Sequence, residues 1–259
     1  MKTTCFIPAR YESTRLPGKP LLKILGISVI NRVYLQVRQC KLINNIIVLT
    51  DDERIKEEVK SINGNVEMIT DECLNGTERI IKYLKKNPKE CDIVINVQGD
   101  EPFVNPVDID RCIENYVKVR YNMDNTSIYD KVIHNTDYKC STMCHLLNID
   151  EVDNRNKGKV ILNKKNDIMY CSRNVIPGCK TKMLNENYLY YGHIGVFVFD
   201  KNYLLEEYMN ENTQYQVYED IEWLKILEQG YKINTIIVNE PERGIDTQED
   251  YEYFLNKYK

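Results

Sequence analysis

The sequence predicts an α/β fold built on a mainly parallel sheet. Three observations carry this. Short apolar runs alternate with amphipathic stretches of helical length, the pattern of repeated βαβ units. The runs Ile46-Ile47-Val48-Leu49 and Ile93-Val94-Ile95-Asn96-Val97 are near-continuously apolar, as strands covered on both faces are. Polar loops follow several of these runs, where open α/β sheets hold their ligands.

The elements follow in order. Thr4–Pro8 reads as the first strand, with a polar loop through Pro20 behind it. Ser28 is placed to cap a helix that carries Val29, Val33 and Leu35 toward Cys40. Ile46–Leu49 is a strand, and Asp51 caps a helix through Ile62, with acids in its first turn and Gly64 past its end. Val66–Ile69 reads as a strand, Gly76-Thr77-Glu78-Arg79 opens a helix to Lys86, Ile93–Val97 is the most apolar strand, and Asp108–Val119 is helical. Lys159–Leu162 and Ile168–Ser172 flank a polar turn and read as a β-hairpin. A hairpin interrupts the parallel pattern, so residues 125–190 are expected to form an inserted β-rich lobe, with 1–124 and 191–259 as the core. The alternation then returns: strand Ile194–Phe199, helix Tyr203–Met209, helix Tyr218–Gln229 closed by Gly230, strand Ile233–Val238 and helix Thr247–Tyr258.

Composition sets outer limits. The 259 residues are 42% hydrophobic and 29% charged, which excludes collagen-like, disordered and low-complexity classes. No apolar stretch approaches the ~20 residues of a membrane span, and the first residues lack the apolar region of a signal peptide. A soluble, cytoplasmic protein is expected. A net charge of −4 argues against bulk binding to nucleic acid or to an anionic membrane. Any bound anion must therefore be gripped by a local cluster of Lys and Arg. Nine cysteines, none spaced C-x-x-C, read as thiols. Cys140, Cys144, His145, Cys171 and Cys179 admit a zinc reading, but core thiols are the better one.

Three loops carry chemistry. Between Pro8 and Pro20 stand Arg10, Ser13, Thr14, Arg15, Gly18 and Lys19. Polyphosphate needs this combination of fixed positive charge and exposed backbone N–H groups. The loop is neither G-x-x-x-x-G-K-[ST] nor G-x-G-x-x-G, which excludes P-loop and Rossmann readings; a solvated basic loop is the plain alternative. In Gln98-Gly99-Asp100-Glu101-Pro102 a carboxylate at the tip of a buried strand suits Mg²⁺, while the same residues also suit a simple turn. In Gly244-Ile245-Asp246-Thr247-Gln248-Glu249-Asp250, Thr247 and Asp250 form a capping-box variant. Asp246, just ahead of that helix, is free to coordinate a metal. Glu219 and Glu222 lie three apart on one expected helix face, Trp223 reads as core, and His134 and His145 are weak candidates.

Several blocks together resemble one family. They are Ile-Pro-Ala-Arg-Tyr-x-Ser-Thr-Arg-Leu-Pro-Gly-Lys-Pro-Leu at 7–21, Thr50–Arg54, Asn75–Arg79, Asn96–Pro102, Ser172-Arg173-x-x-Ile176-Pro177, His193-Ile194-Gly195 and Gly244–Asp250. In this order, and spanning nearly the whole chain, they resemble the CMP-Kdo synthetases, or 3-deoxy-manno-octulosonate cytidylyltransferases. The resemblance implies a three-layer α/β/α nucleotidyltransferase fold whose small inserted lobe pairs two subunits into a homodimer. It implies that Arg10, Ser13, Arg15 and Lys19 grip the phosphates of CTP. Thr77, Arg79 and Gln98 would lie against the cytosine and ribose. Asp100 and Asp246 would hold catalytic Mg²⁺, making Arg10, Arg15, Lys19, Asp100 and Asp246 the catalytic set. Arg173, His193, Glu219 and Glu222 would line the sugar-acid site. The sequence departs from the family pattern at Trp223 and Lys225, where members often carry Gln and Arg, and at Gly178 after Ile-Pro.

The expected reaction is attack of the anomeric hydroxyl of a 3-deoxy sugar acid on the α-phosphorus of CTP, with loss of pyrophosphate, in lipopolysaccharide biosynthesis. No protein base is required; His193 is a candidate, with substrate hydrogen bonding the better reading. The same chemistry on a nonulosonic acid or an amino-Kdo is the alternative acceptor reading. A nucleotide-binding regulatory protein without turnover is the alternative from another class.

Overall fold

The apolar runs pair side by side in a computed structural model of the chain, which describes residues 1–13, 15–121, 136–178, 180, 184–185, 187–209, 213–239 and 241–258. The chain divides into two compact units. Residues 1–110, 200–205 and 241–259 form the first, and residues 111–199 and 206–240 the second.

The first unit carries β1 (Thr3–Ala9), the short pair β2 (Lys23–Ile24) and β3 (Ile27–Ser28), α1 (Val29–Val37), β4 (Asn45–Thr50), α2 (Glu53–Lys60), β5 (Val66–Met68), α3 (Gly76–Lys86) and β6 (Ile93–Val97). Helix α4 (Pro106–Tyr121) follows. The strand order is β6-β1-β4-β5, every pair parallel, with Ile7 opposite Val48 and Cys5 opposite Ile95. Ile7, Val48, Leu49, Val94 and Ile95 are fully buried, which is why these strands read as unbroken apolar runs. Side chains fix the helix starts. Ser28 accepts from the Asn31 N–H, and Asn75 accepts from the Glu78 N–H. Helix α2 begins one residue later than expected, because Asp52 caps it and Asp51 is taken by Arg79.

The second unit carries β7 (Tyr138–Leu146), β8 (Lys159–Leu162), β9 (Ile168–Ser172) and β10 (Tyr191–Asp200). After α5 (Lys201–Glu206) come α6 (Gln214–Glu219), α7 (Leu224–Glu228) and β11 (Lys232–Val238). Strand β7 lies parallel to β11 and antiparallel to β10, and β8 pairs antiparallel with both β9 and β10. The expected hairpin is therefore β8–β9. Its unit is larger than the 125–190 lobe read from the sequence, since it also takes in most of β10 and all of α6, α7 and β11. The helix expected over 218–229 is two short helices. Asp220 sits in the left-handed region at φ 51 and ends α6. Glu219 and Glu222 consequently do not share a helix face.

Helix α8 (Gln248–Lys257) returns to the first unit with the expected Thr247–Asp250 capping box. Phe254 and Ile245 pack with Leu16, Ile24 and Val29 in one buried cluster. Among the described residues no helix is long and apolar enough to cross a membrane. Cys140, Cys144 and Cys171 are buried thiols, and burial pushes each of them above the usual thiol range. Thr14, His134, Cys179 and the opening of the expected lobe lie outside the described residues.

Candidate active site

In the first unit the chain folds back on itself after β1. Gly18 adopts φ 70, and a Cβ there would meet the Tyr11 ring at 3.2 Å. Glycine takes that conformation without the strain that a Cβ adds. The Gly18 N–H donates to the Tyr11 carbonyl at 3.0 Å, closing the basic loop, and the Arg54 guanidinium lies 3.4 Å from the Tyr11 ring centroid. The turn launches Lys19 toward the ends of β1 and β6. At Gly99 a Cβ would stand 2.9 Å from the Pro8 carbonyl oxygen, so glycine lets the chain leave β6 pressed against the end of β1. Asp100 follows directly. The Ile245 N–H donates to the Asp100 carbonyl at 2.9 Å and stitches the C-terminal segment to the same place. The Asp250 carboxylate accepts from the Asp246 and Thr247 N–H groups and fixes Asp246 ahead of α8.

These three segments converge on one ammonium. Lys19 Nζ lies 2.7 Å from Asp100 Oδ2 and 3.4 Å from Asp246 Oδ1. The two carboxylate oxygens are thus no farther apart than those distances together. Arg15 Nη2 approaches Asp246 Oδ1 at 3.1 Å. Burial works against the charge on Lys19, but Asp100 and Asp246 outweigh it and raise the lysine above its ordinary pKa. Asp246 is also pushed upward, by burial first and by the charge of Asp100 second, and Lys19 and Arg15 offset this only in part. Two hard oxygen donors facing one point are the donor type that a divalent cation such as Mg²⁺ takes.

The remaining nucleotide candidates are placed unequally. Arg10 is exposed at the end of β1, and Gln98 is half-buried at the end of β6. Ser13 Oγ accepts from the Leu16 N–H at 3.3 Å and so shapes the loop. Thr77 is fully buried, with its hydroxyl 3.4 Å from the Asn96 amide. Arg79 is buried too; it donates to the Ile69 carbonyl at 2.7 Å and to Asp51 at 2.6 Å. Its guanidinium is turned inward, where it ties α3 to the ends of β4 and β5.

The sugar-site candidates all lie in the second unit. Arg173 donates through Nε to the Glu219 carbonyl at 2.9 Å, and through Nη2 to the Asp220 carbonyl at 2.8 Å and its carboxylate at 3.2 Å. Nη1 reaches the carbonyls of Arg155 and Asn156 at 3.2 and 3.5 Å. The Glu219 carboxylate accepts from the Ser172 hydroxyl at 2.7 Å and from the Arg173 N–H at 3.0 Å. Arg173 and Glu219 thus bind each other's segments, and no Arg173 donor group is left without an acceptor. Glu222 is half-buried, and its carbonyl accepts from the Tyr208 hydroxyl at 3.2 Å. His193 sits against the buried Trp223, ring centroids 4.8 Å apart, with Nε2 2.8 Å from Thr142 Oγ1. Desolvation, helped by His145, pushes His193 down to about 3, so it is neutral at physiological pH.

Sequence reasoning passed over Lys159. It is fully buried, and its ammonium meets the carbonyls of Asn154, Lys157 and Arg173 at 2.8, 2.8 and 2.6 Å. The signal was a lysine opening the run Lys159-Val160-Ile161-Leu162.

The family model for cytidylyltransferases matches residues 4–233. The chain belongs to that family. This cytidylyltransferase is 37% identical to the 3-deoxy-manno-octulosonate cytidylyltransferase of Fusobacterium nucleatum, over 100% of this chain and 98% of the relative. It is 35% identical to the protein of the same name from Protochlamydia amoebophila, over 94% of this chain and 89% of the other. Among solved structures, a CMP:2-keto-3-deoxy-manno-octonic acid synthetase complexed with CTP matches it with a TM-score of 0.84 and 29% identity, covering 99% of this chain and 98% of that one.

Proposed function

We propose that this cytidylyltransferase transfers CMP from CTP to the anomeric hydroxyl of 3-deoxy-manno-octulosonate, releasing pyrophosphate. The full-length relatives and the CTP-bound structural neighbour support the reading. The observation that carries it is Lys19 held between Asp100 and Asp246 with Arg15 alongside.

Phosphoryl transfer is mostly positioning and neutralisation of charge. CTP brings about four negative charges, and each unscreened pair at ~4 Å costs about 4 kcal/mol at an effective dielectric near 20. Lys19 and Arg15 meet that charge from a loop whose shape Gly18 fixes, and exposed Arg10 adds a third cation. Asp100 and Asp246 would hold Mg²⁺, which when bound spreads phosphate charge and makes a coordinated hydroxyl more acidic. His193, being neutral, serves the acceptor by hydrogen bonding rather than as an acid. Arg173 and Glu219 shape the acceptor pocket through the segments they bind.

We infer further that the chain works as a homodimer. Met169, Tyr215, Val217 and Tyr218 in the second unit are exposed, a group of apolar side chains that a partner surface would cover. Light scattering showing only a monomer mass at micromolar concentration removes this inference. The eight described cysteines are free thiols, which suits the reducing cytoplasm. Function is tested by pyrophosphate release from CTP and from UTP across a panel of sugar acids. Release with CTP and 3-deoxy-manno-octulosonate is expected. Turnover of a different acid with none of this one overturns the acceptor, and CTP binding without turnover on any acid overturns the enzyme.

A further inference from the structure

Strand β10 carries two extra residues relative to β7. Ile194 pairs with Met143 and Phe197 with Thr142, so Gly195 and Val196 bulge out of the ladder. A bulge re-aims the groups around it. Here it brings the Val196 carbonyl to 2.6 Å from Thr142 Oγ1. A carbonyl has no proton to give, so the threonine hydroxyl donates.

That bond decides the next one by proton count. A hydroxyl carries a single proton, and Thr142 has spent its own on Val196. Its other contact, His193 Nε2 at 2.8 Å, must therefore supply the hydrogen. A neutral imidazole has one N–H, so Nδ1 bears a lone pair. Burial keeps the ring neutral, as described above. The rings of Trp223 and Phe197, centroids 4.8 and 5.0 Å away, hold its orientation. Among the described residues Nδ1 has no hydrogen-bond partner, and His193 is half-buried and not sealed from solvent. It remains open to a ligand.

We propose that Thr142 is a positioning residue: through the β10 bulge it fixes His193 as the Nε2–H tautomer, so that Nδ1 accepts a hydrogen bond from a hydroxyl of the sugar acid. The acceptor half of this rests on the function proposed above. A consequence is that His193 takes a hydroxyl and not the carboxylate of that substrate, because a lone pair repels an anion. With the opposite tautomer the roles would exchange.

The test uses the full chain in three forms: wild type, Thr142→Val and Thr142→Ser. The chain has three histidines, so ¹⁵N spectra are readily assigned with His193→Gln as the reference. Wild type and Thr142→Ser should show His193 Nδ1 as the unprotonated nitrogen, and Thr142→Val should show mixed tautomers. Kinetically, Thr142→Val should raise KM for the sugar acid about tenfold, the value of roughly one hydrogen bond. KM for CTP and kcat should stay within about twofold, and Thr142→Ser should restore the acid KM. A protonated Nδ1 in the wild type overturns the proposal, as does a Thr142→Val enzyme with unchanged tautomer and unchanged acid KM. If no sugar acid is turned over by any form, the proposed function falls, while the spectra still decide the tautomer.

Discussion

Replacing Asp100 with Asn tests the ammonium-centred site most directly. At 2.7 Å the Lys19–Asp100 attraction is about 6 kcal/mol at an effective dielectric near 20. Desolvation and partial exposure offset much of that in the resting protein, leaving about 1–3 kcal/mol of stability at risk. On the function proposed above, the lost carboxylate would face the triphosphate and its cation in turnover, where about 4 kcal/mol of transition-state stabilisation corresponds to about 10³-fold in rate. The variant should also let Asp246 regain a lower pKa, because the Asp100 charge is one of the two causes raising it. Pyrophosphate release with CTP, 3-deoxy-manno-octulosonate and saturating Mg²⁺ is the assay, with a thermal melt run alongside. A folded Asp100→Asn protein that keeps turnover within about tenfold of wild type refutes the reasoning.

Three further perturbations follow from the geometry. Arg79→Met should cost about 2–4 kcal/mol in urea unfolding, since it leaves Asp51 and the Ile69 carbonyl without their donor; a loss under about 0.5 kcal/mol contradicts the inward role. Gly99→Ala should lower both stability and turnover, because the new Cβ meets the Pro8 carbonyl at 2.9 Å and displaces Asp100; wild-type turnover argues against that coupling. His193 is held down to about 3 in the fold, against about 6.5 when unfolded, so the unfolded chain binds the extra proton between those values. The stability of wild type relative to His193→Gln is therefore complete above pH 6.5 and falls by up to about 1.4 kcal/mol per unit below it; parallel stability–pH curves for the two proteins exclude this.

Much of the fold was legible because physical causes were local. The strand Ile93–Val97 is fully buried, and burial on both faces writes itself as an unbroken apolar run. Ser28 and Thr247 announce helices because a side-chain oxygen must meet orphan N–H groups within the same turn. What was misread depends on distant partners. Asp51 and Asp52 are equivalent caps by sequence, and the choice between them is made by Arg79, which claims Asp51. Strand β7 reads weakly because Lys139, Ser141 and Thr142 interrupt its apolar residues. All three are buried, and each finds a partner distant in the sequence, Glu207, Asn115 and His193 respectively. The break at Asp220 interrupts a run of good helical periodicity, and nothing adjacent in the sequence signals its positive φ.

The site residues show the same division. Residue type and spacing drew attention to the loop of Arg15, Gly18 and Lys19, but the meeting of Asp100 with Asp246 depends on a backbone bond from Ile245 that spacing does not reveal. The resemblance of the motif blocks supplied that link. It did not reveal that Arg79 is turned inward or that Arg173 is saturated by carbonyls, because a motif records which residue is present and not which atoms it has already satisfied.

The stitch between Ile245 and Asp100 also carries a consequence for biosynthesis. Domains fold from the N-terminal end as the ribosome advances. The strands β1 to β6 can assemble while the stretch bearing Asp246 is still inside the exit tunnel. A nascent chain at that stage would own the basic loop and one aspartate, yet lack the other. On the function proposed above, a chain cut after Val238 should therefore keep the basic loop and Asp100 yet release no pyrophosphate from CTP.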